Sequence, residues 1–143
     1  MGKELAFFEG EIVPVDSAKV GIMTHALHYG TAVFEGIRGN WNPIKEKMFV
    51  FRLKEHYERL IKGCKILNMD INYSVQDLCN ITIDLIKASE YKEDIYIRPL
   101  AYKSEEKVAN LKLHELDSSF ALMIVPFGNY IDNEKPIRCQ TSS

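Results

Sequence analysis

Arginine stands beside aromatic residues and glycine at several points along this chain, a combination suited to holding a carboxylate or phosphate. The richest stretch runs from Thr24 to Arg38 and reads T-H-A-L-H-Y-G-T-A-V-F-E-G-I-R. If its second half is a strand, side chains alternate, so Phe34, Gly36 and Arg38 share one face while Val33, Glu35 and Ile37 share the other. The first set resembles a pocket wall: an apolar plane, a bare backbone that a ligand can approach, and a fixed cation. An ordinary strand with a glycine bulge and a solvated arginine fits the same residues. Further along, His56, Arg59, Gly63 and Ile66 form a stripe on the flank of an amphipathic helix. Arg59 there is an anion-clamp candidate, and a surface arginine lying along the apolar flank is the alternative. Tyr96 and Arg98 fall on one face of a later strand, and an arginine so placed needs a carboxylate or ligand partner if it is buried. Pro126-Phe127-Gly128-Asn129-Tyr130 places aromatics at a strand exit, where pockets are often built.

The elements that must position these residues can be read from periodicity. Leu5 to Pro14 holds two short apolar runs about Glu9-Gly10, a hairpin signal. From Asp16 to Gly30 no period holds, which predicts a loop with about one helical turn. His25 and His28 in that loop lack a Cys, Asp or Glu partner at metal-site spacing, so they are expected to bond loop backbone and no metal site is assigned. Gly39 to Lys47 is rich in turn formers, and Met48 to Leu53 supplies a second hairpin partner for the Val33 strand. Leu53, Tyr57, Leu60, Ile61, Cys64 and Leu67 recur at helical spacing. Ser74 to Asp77 reads as a capping box opening a second helix through Ser89. Ile95 to Lys103 alternates as a strand, with Pro99 pointing to an edge or bulge. Phe120 to Val125 is apolar enough for a central strand, and Ile137-Arg138-Cys139 begins another strand-like run. The expected fold is an α/β (α+β) domain: an antiparallel sheet with two helices packed on one face, the other carrying Phe34, Arg38, Tyr96 and Arg98.

Composition narrows the partners. With 143 residues, 46% apolar and 27% charged, the chain suits one globular domain. A net charge of -2 with intermingled signs gives no basic stripe for nucleic acid. No apolar run approaches the roughly 20 residues that span a bilayer, and the first residues lack a signal-peptide core, so a cytoplasmic protein without membrane partners is expected. Cys64, Cys79 and Cys139 are odd in number and lack C-x-x-C spacing, as reduced thiols would.

H-A-L-H-Y-G-T-A-V-F-E-G-I-R at 25–38, F-R-L-K-E-H-Y-E-R-L at 51–60, Y-I-R-P-L at 96–100 and P-F-G-N-Y at 126–130 together resemble the N-terminal domain of branched-chain amino-acid aminotransferases. These are fold-type-IV enzymes that use pyridoxal 5'-phosphate. The resemblance implies that Arg59 grips the cofactor phosphate and that Phe34, Gly36 and Arg38 line the substrate side of the cofactor. It further implies that Tyr96 and Arg98 receive substrate carboxylates, that Phe127 and Tyr130 shape the side-chain pocket, and that Tyr29 reaches a neighbouring subunit's site. A homodimer is then the smallest active unit. Phe127 stands where the family usually has tryptophan, which bears on side-chain preference.

The same resemblance implies a division at 1–135 for the small domain and 136–143 for the start of an interdomain linker. The family's Schiff-base lysine lies in a second domain beyond that linker, and no lysine here has its G-N-Y context. This stretch alone is therefore expected to be inactive and not to retain the cofactor. The implied parent reaction transfers an amino group between leucine, isoleucine or valine and 2-oxoglutarate. Within the fold, D-amino-acid transaminase and aminodeoxychorismate lyase are the rivals, against which F-E-G-I-R and Y-I-R-P-L speak; outside it, a non-catalytic carboxylate-binding module is the rival.

Overall fold

The computed structural model describes residues 2–128 and 138–141. Strands β1 (Leu5–Phe8) and β2 (Glu11–Pro14) form the expected hairpin, turning on Glu9 and Gly10, both with positive φ. A 3-10 turn and the short helix α1 (His25–Tyr29) lead to β3 (Ala32–Phe34) and β4 (Ile37–Asn42). Strand β5 (Lys47–Val50), helices α2 (Leu53–Ile66) and α3 (Val75–Ser89), and the long strands β6 (Ile95–Lys103) and β7 (Ser118–Pro126) follow. All pairings are antiparallel, in the order β2-β1-β7-β6-β4-β5, with β3 pairing β6 beyond the end of β4.

Alternation divides the sheet cleanly. Phe7, Ile37, Ile95, Ile97, Ala101, Phe120, Leu122 and Ile124 join Tyr57, Leu60 and Cys64 of α2 and Leu78 and Leu85 of α3 in one core. Two long helices thus cover one face, as expected. The capping box at Ser74 is present, with Ser74 Oγ accepting the Asp77 N–H at 3.2 Å and the Asp77 carboxylate accepting the Ser74 N–H at 2.9 Å. The opposite face is half roofed: Val15, Ala18, Val20, Thr24, Ala26 and Leu27 lie over Ala6, Phe8, Leu100 and Tyr102 around an apolar cavity of about 310 Å3. His25 is buried in that roof, where Nε2–H donates to the Asn110 carbonyl at 2.8 Å and Nδ1 is hydrogen-bonded with the Thr31 hydroxyl at 2.9 Å. This is the loop-bonding role expected of it.

Pro99 does not mark an edge. It is fully buried in β6, in register with Leu122 of β7. The reason lies in its partner. Pro99 O accepts the Glu35 N–H at 3.1 Å, so the side of Pro99 that lacks a donor faces residues 35 and 36, between β3 and β4, where the strand is interrupted. The turn expected at 39–47 is also shorter, because Gly39 to Asn42 pair with β5 as part of β4. Residues 138–141 form no strand, and Ile137 lies outside the described residues.

Candidate functional site

The interruption between β3 and β4 sets the geometry of the site. Phe34 ends one strand on the open face, Ile37 begins the next in the core, and Glu35 is turned toward the helices. The face assignment of residues 33 to 38 therefore holds although the strand breaks in its middle.

On the open face three side chains interlock. The Arg98 guanidinium lies over the Phe34 ring at 4.1 Å and donates from Nε and Nη2 to Tyr96 Oη at 3.0 and 2.6 Å. Phe34 is 56% exposed, so the stack is open to solvent. Tyr96, Arg98, Leu100, Met123 and Val125 line a shallow cleft of about 290 Å3 beside it. A Cβ at position 36 would lie 2.8 Å from Tyr96 Oη, so the absent side chain at Gly36 is filled by that phenol. Among the described residues this cation is held by an aromatic face and a phenol oxygen rather than by a carboxylate, and both contacts leave it able to receive one.

A second group adjoins the first. Arg38 bonds Asp94 at 3.0 Å and lies over the Phe127 ring at 5.3 Å, while Phe127 and Tyr96 rings meet at 5.3 Å. Asp94 also accepts from Asn40 at 3.1 Å and from the Trp41 N–H at 2.9 Å, and its own carbonyl accepts the Phe127 N–H at 2.9 Å. The Trp41 amide first, then Arg38, hold its carboxyl below the ordinary aspartate value. Asp94 thereby ties β4 to the exit of β7. Tyr130 lies outside the described residues.

Arg59 is reached from the helix side of the same interruption. Its Nε and Nη2 donate to the two Glu35 carboxylate oxygens at 2.5 Å each, and His56 Nδ1–H donates to Oε2 at 2.9 Å. The Glu35 side chain is 7% exposed and that of Arg59 is 69% exposed. Hydrogen bonding from Arg59 holds the Glu35 carboxyl below its ordinary value, against the opposing effect of burial. The side-on pair uses neither N–H of Nη1, and Arg59 lines a cleft of about 310 Å3 with Phe51, Arg52, Glu55 and His56. The flank position read from the sequence is correct, and the close neighbour at Gly63 is Val33, whose Cγ1 would lie 2.7 Å from a Cβ there.

Tyr29 stands apart from both groups. It is partly exposed at the end of α1, stacks on His25 at 4.4 Å and accepts the Ala109 N–H at 2.8 Å.

Sequence reasoning missed Glu35 and Asp94 as anchors. Glu35 was visible only as the partner face of Phe34, and Asp94 only as part of a polar connection. An acidic residue flanked by Phe34 and Gly36 in a pocket-wall strand was the available signal for the first.

Residues 32–143 match the family model described as amino-transferase class IV. A probable branched-chain-amino-acid aminotransferase of Aquifex aeolicus is 46% identical over 140 residues, covering 98% of this chain and 45% of that protein. The crystal structure of a branched-chain aminotransferase from Thermoproteus uzoniensis with norvaline superposes with a TM-score of 0.84 at 37% identity, over 92% of this chain and 43% of that one. The Thermobaculum terrenum branched-chain amino acid aminotransferase in PLP-form gives a TM-score of 0.78 at 30% identity, over 90% and 41%. The chain spans less than half the length of these relatives.

Proposed function

The chain belongs to the amino-transferase class IV family, and on that premise we propose that it is the N-terminal part of an enzyme moving amino groups between branched-chain amino acids and 2-oxoglutarate. The observation that carries this reading is Arg98, stacked on Phe34 and bonded to Tyr96. The two substrates make opposite demands, since one presents an apolar side chain and the other a carboxylate. Arg98 can meet both: its charge stays paired by phenol and ring beside an apolar group, and it turns to a carboxylate when one arrives.

Pyridoxal 5'-phosphate fits the donor chemistry on the other side of the strand interruption. An exposed, oriented guanidinium whose Nη1 takes no part in the Glu35 pair suits a phosphate dianion, and Arg59 is the residue of this chain that would hold it. The cofactor, when bound, supplies the electron sink that allows an amino group to leave one carbon skeleton for another. The residues here orient and exclude. Phe34 gives an apolar wall, Gly36 makes room for the Tyr96 phenol at the strand break, Arg38 and Phe127 close the far side, and Tyr96 orients Arg98. We place Tyr29, and with it a homodimer, in this scheme as a residue serving the neighbouring site, and Tyr130 as a pocket residue. Residues 1–135 form the small domain in this reading and 136–143 begin the linker; the lysine that carries the cofactor lies outside residues 1–143. The isolated stretch would then not turn over.

Substrate profiling tests the assignment. Arg98→Ala in the full-length enzyme should lower kcat/KM for glutamate roughly ten- to a hundredfold, the loss of one charged hydrogen-bonding partner, and leave leucine within a few fold. Equal losses for glutamate and leucine would refute the role.

A further inference from the structure

We infer that Glu35 is a positioning residue for anion binding, presetting the Arg59 guanidinium and leaving the work of contact to its outer edge. The inference deepens the phosphate reading of Arg59 and rests on it. A carboxylate this deeply buried is costly unless it is fully paired, and Glu35 is paired by three donors from one helix: Nε and Nη2 of Arg59 and Nδ1 of His56. Its own backbone is fixed as well, because its N–H donates to Pro99 O in the central strand. The chain of support therefore runs from β6 through Glu35 to the tip of a side chain on α2.

Arg59 needs that support. Its side chain is largely exposed, and an exposed arginine samples many rotamers that an anion must select among. Held side-on, the planar fork presents Nη1 in one orientation, so less freedom is lost when an anion binds. A competing effect has the opposite sign: the Glu35 charge repels an anion beyond Arg59. The geometry favours orientation, because the carboxylate is buried behind the guanidinium and is in contact with its neutralising partner, whereas the anion would meet the guanidinium directly. Glu35 touches no ligand in this scheme. It acts through Arg59.

The two effects predict opposite results for Glu35→Gln, which keeps the shape and removes the charge. The test measures dissociation constants of pyridoxal 5'-phosphate and of phosphate-free pyridoxal for the full-length enzyme and its Glu35→Gln, Arg59→Ala and doubly substituted forms, by absorbance titration of the apoenzymes. The 31P chemical shift of the bound phosphate is a second readout. Positioning predicts that Glu35→Gln weakens pyridoxal 5'-phosphate by about tenfold, the scale on which lost orienting partners weaken bound ions elsewhere. It also predicts a moved phosphate resonance, unchanged pyridoxal affinity, and no further loss when Glu35→Gln is added to Arg59→Ala. Tighter or unchanged cofactor binding in Glu35→Gln, or equal losses with and without Arg59, would overturn the inference while leaving Arg59 as the phosphate ligand. If Arg59→Ala itself leaves cofactor affinity intact, the phosphate reading fails first.

Discussion

Glu35 carries an electrostatic signature that can be read without any ligand. Its folded-state carboxyl lies below the ordinary value of 4.5 because Arg59 bonds it, so the pair contributes stability that is fully present above that value. As pH falls through the lower, folded value, the carboxylate takes a proton and the contribution is lost. Urea unfolding of the wild type and Glu35→Gln should therefore show the wild type more stable at pH 7 and the gap narrowing below about pH 4. A gap that is constant with pH would mean that the ionised pair does not stabilise the fold. At this scale much of the site was legible: Phe34, Gly36, Arg38, Tyr96 and Arg98 share the face that alternation assigns them, and Arg59 sits on the helix flank. What was hidden are contacts between distant segments. Arg59 lies 24 residues from Glu35 and Arg38 lies 56 from Asp94, and no local pattern pairs either acid with its arginine.

At the scale of elements, the sequence's odd residues turn out to report on their neighbours. Gly63 weakens α2 by about 0.8 to 1 kcal/mol relative to alanine in intrinsic terms. Yet a methyl there would meet Val33 Cγ1 at 2.7 Å, and Val33 is a stiff strand residue beside the β3–β4 interruption. The steric effect should win. Gly63→Ala is expected to destabilise the protein by on the order of 1 to 3 kcal/mol, the range for overpacking a tight contact. A raised thermal midpoint would show instead that propensity dominates and that α2 can shift. Pro99 teaches the same lesson about legibility. Its position in a central strand overturns the edge alternative alone, because the residue it faces lies in an interruption 64 residues earlier in the chain, and only the assembled sheet contains that interruption. Lys103 was unmarked by any motif, yet it is buried at the end of β6, where its Nζ donates to Asn68 O at 2.7 Å and Leu116 O at 2.8 Å. It fastens the chain that follows α2 and the 104–118 connection to the sheet, which accounts for a lysine among core residues without assigning it chemistry.

The whole molecule is a sheet with two unlike faces. One is covered by α2 and α3; the other is partly roofed by residues of the 15–27 segment and carries Phe34, Arg38, Tyr96 and Arg98 beside that roof. At the β3–β4 interruption successive residues engage the two faces: Glu35 bonds Arg59 on one, while Phe34 and Gly36 meet Arg98 and Tyr96 on the other. In the proposed enzyme the phosphate and the substrate carboxylate are thus held from two sides of a single break in a strand, and the covalent chemistry is supplied by a lysine elsewhere. Reducing the cofactor-loaded full-length enzyme with borohydride and locating the pyridoxyl group by peptide mass tests that division of labour most directly. The account predicts a modified lysine outside residues 1–143; a pyridoxyl group carried stoichiometrically by a lysine within them would contradict it.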